Sequence, residues 1–240
     1  MGKSYFIWNG TDSRTMGITL TGPVGIVRPE ERIEHVQIPG RSGDLTLTEG
    51  ENIFNSYIQT ATIQVRGGMH ARDVWKWLRG SGYVTFSGEP DRRQKARIIG
   101  AITLDKHSHN LDYWVGEMQF YCQPLKELLT TSAVTITSSG TAVMNAGDVD
   151  SRPKITATAS STSMTVTAGG NTLTLSDITS AHVYEIDTDT QEVIDITTPA
   201  TPVLCTNLSS GNFPVLKPGS NSVTGSGWSQ LVIDKRERFL

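Results

Sequence analysis

Residues 163–175 read Ser163-Met164-Thr165-Val166-Thr167-Ala168-Gly169-Gly170-Asn171-Thr172-Leu173-Thr174-Leu175, and this stretch decides the fold class. Two short runs rich in Thr and aliphatic residues flank Ala168-Gly169-Gly170-Asn171. The paired glycines supply the positive φ values that a tight hairpin turn needs to match the twist of its strands. A β-hairpin is therefore expected here.

Outward from the hairpin the same grammar repeats. Short runs at residues 133–137, 154–159, 182–187, 192–196, 221–223 and 230–233 are separated by turn signals, and no helical period interrupts them. Asp187-Thr188-Asp189-Thr190 is a second expected turn, since Asp bonds its own backbone two residues on. About eight short strands over this half predict a β-sandwich of jelly-roll type.

The composition breaks before this half begins. Up to Glu127 the chain carries 15 Lys/Arg and 14 Asp/Glu; from Leu128 onward it carries 6 and 10, so the parts are +1 and −4 of a total of −3. Ser and Thr rise from about an eighth to about a third of residues, and four of the five tryptophans, Trp8, Trp75, Trp77 and Trp114, lie before the break. A chain of 240 residues has room for two cores. Pro124 cannot extend a strand ladder, so the boundary is set near residue 128, giving domains 1–128 and 129–240.

The first part alternates in the β manner at residues 33–38, 58–65, 83–86, 96–104 and 113–121. One segment changes period: in Ala71-Arg72-Asp73-Val74-Trp75-Lys76-Trp77-Leu78-Arg79-Gly80, Val74, Trp77 and Leu78 fall at i, i+3 and i+4, with Gly80 placed for a left-handed cap. One short amphipathic helix is expected, its tryptophans covering the sheet.

Composition excludes several functions. A balance near neutrality gives no basic face for sequence-independent nucleic-acid binding. Cys122 and Cys205 are too few for a disulfide framework and read as small buried hydrophobes. The first residues lack a signal peptide's apolar stretch and no run approaches the ~20 residues that span a bilayer, so a soluble product made in the cytoplasm, without membrane insertion, is expected.

Catalytic and metal motifs are weak throughout. No nucleophile elbow or phosphate loop is present, and Gly40-Arg41-Ser42-Gly43-Asp44 lacks the spacing of either. His107-x-His109 has no third ligand, and Asp187-x-Asp189-x-x-Glu192 lacks the glycine and distal Glu of a calcium loop. Asp148-x-Asp150 is discounted likewise. Asn9-Gly10-Thr11 and Asn207-Leu208-Ser209 fit the glycosylation sequon but follow no secretion signal. No enzyme activity and no cofactor are expected.

What is specific is the order of punctuation. Pro39-Gly40-Arg41-Ser42-Gly43 ends a strand, Trp77-Leu78-Arg79-Gly80 ends the helix, and Phe120-Tyr121-Cys122-Gln123-Pro124 closes the first part. Phe213-Pro214-Val215-Leu216-Lys217-Pro218-Gly219-Ser220-Asn221 stands near the far end. This ordered series resembles the distal tail protein family of siphovirus-type bacteriophages and prophages, and it covers both halves of the chain.

The resemblance implies an N-terminal tail-tube-like β-sandwich with one helix and a projecting hairpin, and a C-terminal sandwich like galectins and carbohydrate-binding modules. It implies a homo-hexameric ring hub in the virion tail tip, assembled in the bacterial host cytoplasm. The hub would join the tail tube protein to the tip or tail-associated protein, and often to receptor-binding proteins, while DNA passes through the channel without specific binding.

Residue chemistry fits that expectation. Gly40 and Gly43 permit positive φ around Arg41, whose five donors suit a carboxylate on a neighbouring subunit; the alternative is that Arg41 caps its own turn. The polar segment 45–55, bearing Leu45 and Leu47, is expected to join the preceding strand in an arm lying on the adjacent subunit. In the second half, Trp228, flanked by Gly225, Gly227 and Ser229, is the candidate sugar-stacking residue of the alternative function, a carbohydrate-binding module for host adsorption.

Overall fold

The structure is a computed structural model that describes residues 4–22, 24–48, 50, 52–66, 71–108, 113–205 and 209–240. The chain forms two compact units, residues 1–129 with residue 240, and residues 130–239.

In the first unit, β1 (Phe6–Trp8), β2 (Thr11–Asp12), β3 (Ile18–Leu20), β6 (Tyr57–Arg66), β7 (Ser81–Phe86), β8 (Arg92–Ser108) and β9 (Tyr113–Leu128) share one sheet; β4 (Ile33–Gln37) and β5 (Asp44–Thr48) form another. The order in the large sheet is β2-β1-β7-β8-β9-β6-β3, with antiparallel neighbours. The sheet curls so that the Leu20 N–H donates to the Ser4 carbonyl at 3.0 Å. Ala61, Ile63 and Val65 of β6 and Met118, Phe120 and Cys122 of β9 alternate inward, which is the period-two pattern read from the sequence.

Phe120 is the centre of this core. The rings of Phe6, Trp8 and Phe86 lie 5.6, 5.8 and 5.5 Å from it, at the tilted and edge-on angles that aromatic quadrupoles favour. Helix α1 (Ala71–Trp77) buries Val74, Leu78 follows it into the core, and Gly80 takes φ +78°. Trp77 covers the core as expected. Trp75 does not: it lies off the i, i+3, i+4 stripe and stays 48% exposed.

Pro124 does not end its strand. β9 continues through it to Leu128, which pairs with Arg92, and the register slips between Gln94 and Ala96 opposite the proline. The missing N–H falls at this irregularity, where no ladder bond is needed, and the Gln94 amide instead donates to the Gln123 carbonyl.

The second unit is two stacked antiparallel sheets. One has the order β10-β20-β12-β15-β16-β17, built from β10 (Val134–Ile136), β12 (Lys154–Ala159), β15 (Val183–Asp187), β16 (Glu192–Asp195), β17 (Val203–Leu204) and β20 (Trp228–Asp234). The other, β11-β19-β13-β14-β18, is built from β11 (Thr141–Asn145), β13 (Ser163–Ala168), β14 (Asn171–Ser176), β18 (Ser209–Gly211) and β19 (Gly219–Ser226). Ile155, Tyr184, Ile186 and Leu231 from the first sheet meet Met164, Val166, Leu173 and Val223 from the second. Gly169 and Gly170 take φ +61° and +90°, so the turn that decided the fold class has the geometry its glycines demand.

Candidate assembly surface

The β4–β5 hairpin makes no ladder with the curled sheet. Its register pairs Ile33 with Thr48, Glu34 with Leu47, His35 with Thr46, Val36 with Leu45 and Gln37 with Asp44. Opposed residues share a face, so Val36, Leu45 and Leu47 lie on one face with Glu34 beside Leu47, while the other face carries the exposed Ile33 and Thr48 at the root and then the polar His35, Thr46, Gln37 and Asp44. Leu45 and Leu47 are 37% and 45% exposed. An isolated two-stranded ribbon is marginal in water, and burying a leucine or isoleucine side chain is worth about 1.5–3 kcal/mol. In the protomer Leu45 and Leu47 leave much of that surface in water.

The root is firm. Arg32 N–H donates to the Ile53 carbonyl at 2.9 Å, Asn55 N–H to the Glu30 carbonyl at 2.8 Å, and the Arg32 guanidinium to the Asn55 side chain at 3.2 Å, above a buried Phe54. At the tip, Gly40 and Gly43 take φ +81° and +82°, and Arg41 N–H closes the turn onto the Ile38 carbonyl at 3.1 Å. The turn is closed by the Arg41 backbone, and the Arg41 guanidinium has no acceptor among the described residues. Gly40, Arg41, Gly43, Leu45 and Leu47 thus come together on one projecting element.

The sugar-stacking candidate goes elsewhere. Trp228 is 9% exposed, belongs to the core of the second unit, and donates its indole N–H to the Thr165 carbonyl at 3.2 Å. Its glycine neighbours do not open a platform; Gly225 and Gly227 let the Thr165 and Ser163 carbonyls approach so closely that a Cβ would strike them. Tyr184 is core as well, its phenol oxygen accepting from the Thr179 N–H at 2.9 Å.

The acidic turn is neutralised by arginines. Arg236 grips Asp187 with two bonds of 2.9 and 2.8 Å, and Arg238 reaches Asp189 at 2.9 Å. Burial alone would raise the Asp187 pKa, but the Arg236 guanidinium and the N–H groups of Asp189 and Thr190 hold it below its usual value. Asn9 of the first sequon accepts from the Tyr83 N–H at 2.9 Å, a strand-end clasp; Asn207 and His109 lie outside the described residues. Among the described residues no three His, Cys, Asp or Glu side chains gather as a metal set, and no helix is long and apolar enough to cross a membrane.

Cys122 is fully buried, which pushes its thiol up to about 12. Cys205 is half-buried against the second core, and its thiol is also raised, chiefly by burial. Two pairings escaped the sequence reading because their members are distant along the chain. Lys126, almost wholly buried, reaches Glu89 at 2.7 Å, and His182 Nδ1 stands 2.7 Å from Asp195.

No family model and no curated protein sequence matches the chain. Solved structures do. The chain is similar to the SPP1 Dit protein, described as a paradigm of the hub adsorption apparatus in phages infecting Gram-positive bacteria, with a TM-score of 0.79 at 18% identity over 100% of both chains. The phage p2 baseplate in its activated conformation with Sr matches with a TM-score of 0.49 at 7% identity, covering 97% of this chain and 98% of that one. The whole chain, both units in one order, therefore has the mainly β fold of the Dit protein.

Proposed function

We propose that this protein is a structural component of a phage tail: a homo-hexameric ring hub at the distal end of the tail tube, joining the tube to tip and receptor-binding proteins. The observation that carries this reading is the full-length fold shared with the SPP1 Dit hub protein. The projecting hairpin supports it, because a ring of identical subunits needs a heterologous contact that each copy both offers and accepts. Leu45, Leu47 and Arg41 offer such a contact, with apolar surface and an unanswered charge on one element.

In this reading the first unit forms the ring and the second, residues 130–239, faces outward and docks other tail proteins. The burial of Trp228 supports protein docking over sugar binding for that unit. The role is assembly and not catalysis, and DNA passes through the channel unheld. Electron microscopy of the purified protein tests the proposal: a six-fold ring with a central hole is expected, and particles of one protomer at all concentrations would refute it.

A further inference from the structure

The outer face of the curled sheet carries a pattern that mirrors the hairpin. Tyr121 of β9 stands between Arg97 of β8 and Ile58 of β6 in one row across three strands. Ile58 and Tyr121 are 53% and 41% exposed, an apolar pair on a face that further along shows Thr60, Gln119 and the half-buried Ile99, then Thr62. Among the described residues Arg97 has no acidic partner.

Along the same face the register of β8 and β9 slips between Ile99 and Thr103. The slip opens a groove of about 300 Å³ floored by Gly100, Ala101 and Gly116 and walled by Asp105 and Glu117. Thr103 opposes Glu117 and Asp105 opposes Val115, so the two carboxylates are diagonal neighbours, about 7–8 Å apart at the backbone. Neither has a cation among the described residues, and like charges so placed repel.

From root to tip one face of the hairpin presents Glu34 beside Leu47 in one row, then Val36 beside Leu45, then the turn that bears Arg41. The sheet face presents Arg97 beside Tyr121 and Ile58 in one row, and the negative groove further along the strands. At about 3.3 Å per strand residue, Glu34 to the tip is about 15 Å, while the row of Tyr121 lies about 13 Å from that of Glu117 and about 20 Å from that of Asp105. Each surface thus sets a charge beside apolar side chains in one row and the opposite charge about 13–20 Å further on, with the signs of the two surfaces reversed. A guanidinium with five donors suits two carboxylates in a groove with a glycine floor.

We infer that the hairpin of one copy lies along the β6-β9-β8 face of a second copy. Arg41 seats between Asp105 and Glu117, Leu45 and Leu47 cover Tyr121 and Ile58, and Glu34 approaches Arg97. The inference rests on the ring reading and deepens it by naming the surface that receives the arm.

A charge exchange in the full-length chain tests it. Native mass spectrometry over a protein dilution series compares the parent with Arg41→Glu, with Asp105→Lys/Glu117→Lys, and with all three changes in one chain. Each partial variant is expected to weaken association about ten-fold or more, and the triple variant to recover most of the loss, because every copy then offers a reversed tip to a reversed groove. The changed positions are solvent-facing, and a thermal melt of each dissociated variant checks that the protomer is intact. If Arg41→Glu weakens the ring but the triple variant stays weak, or if the Asp105/Glu117 pair assembles as the parent does, the seat is elsewhere while the ring stands. A parent that never associates overturns both readings.

Discussion

Trp77 lies on Phe6 with ring centroids 5.6 Å apart and planes 16° apart, so the helix of the first unit is clamped to the sheet by one aromatic stack. Its neighbour two positions earlier, Trp75, is turned to solvent. Trp77→Ala is expected to destabilise the first unit by about 3 kcal/mol, whereas Trp75→Ala stays within about 0.5 kcal/mol. Urea unfolding of the two variants checks this; equal effects would mean that the stack does not hold the helix.

Gly40 and Gly43 bracket Arg41 at positive φ, where an added Cβ meets no neighbouring atom but strains the backbone. Gly40→Ala and Gly43→Ala are each expected to cost about 1 kcal/mol of turn geometry and to weaken association of the full-length protein, with the melting of the protomer core unchanged. Sedimentation velocity against concentration reads the effect. Unaltered association in both variants would show that the tip conformation is irrelevant to assembly.

Trp228 is in the core, so Trp228→Ala is expected to lower the stability of the second unit by about 3 kcal/mol through the cavity it leaves. Glycan-array signal is expected to be absent from parent and variant alike. A saccharide signal in the parent that disappears with Trp228→Ala, without loss of folding, would restore the carbohydrate-binding reading.

Asp187 has a folded pKa below its unfolded value, held there against burial by Arg236. A depressed carboxylate contributes stability that is present above the unfolded value of about 3.9 and is lost as pH falls through the folded one. Asp195, lowered by Thr197 and His182 against its own burial, adds in the same direction. Thermal melting between pH 7 and pH 3 is expected to show the second unit weakening on acidification, and Asp187→Asn to flatten the curve while lowering its neutral-pH plateau. An unchanged slope in Asp187→Asn would assign the acid sensitivity to other carboxylates.

Several elements were legible because local signals and tertiary structure agree. Gly169-Gly170 has the φ values its turn requires, and Val74, Trp77 and Leu78 form the buried helix stripe in a chain otherwise of period two. Pro124 misled as a strand terminator because a register slip removes the need for its N–H, and such irregularities leave no local signature. Val203–Leu204 has no sequence signal because two residues carry no period, and Thr141–Asn145 has none because its inward positions pair Val143 with a buried Asn145 while the apolar Met144 faces out. Trp228 misled for another reason: glycines beside a tryptophan look like exposure, yet here they admit backbone atoms against the indole.

The candidate surface divides in the same way. Arg41 between two glycines could be read locally, since only its own turn had to be imagined. The row of Arg97, Tyr121 and Ile58 could not, because three strands must first pair in register before those side chains become neighbours.

The most direct test of the account is the mass of the full-length protein under native conditions, alongside Leu45→Ser/Leu47→Ser. A parent ring of about 157 kDa, six times the 26.1 kDa chain, that falls to protomers in the variant is the expected result. A parent that remains at the mass of one chain, or a variant that keeps the full ring, would contradict the claim that this hairpin builds a hexameric hub.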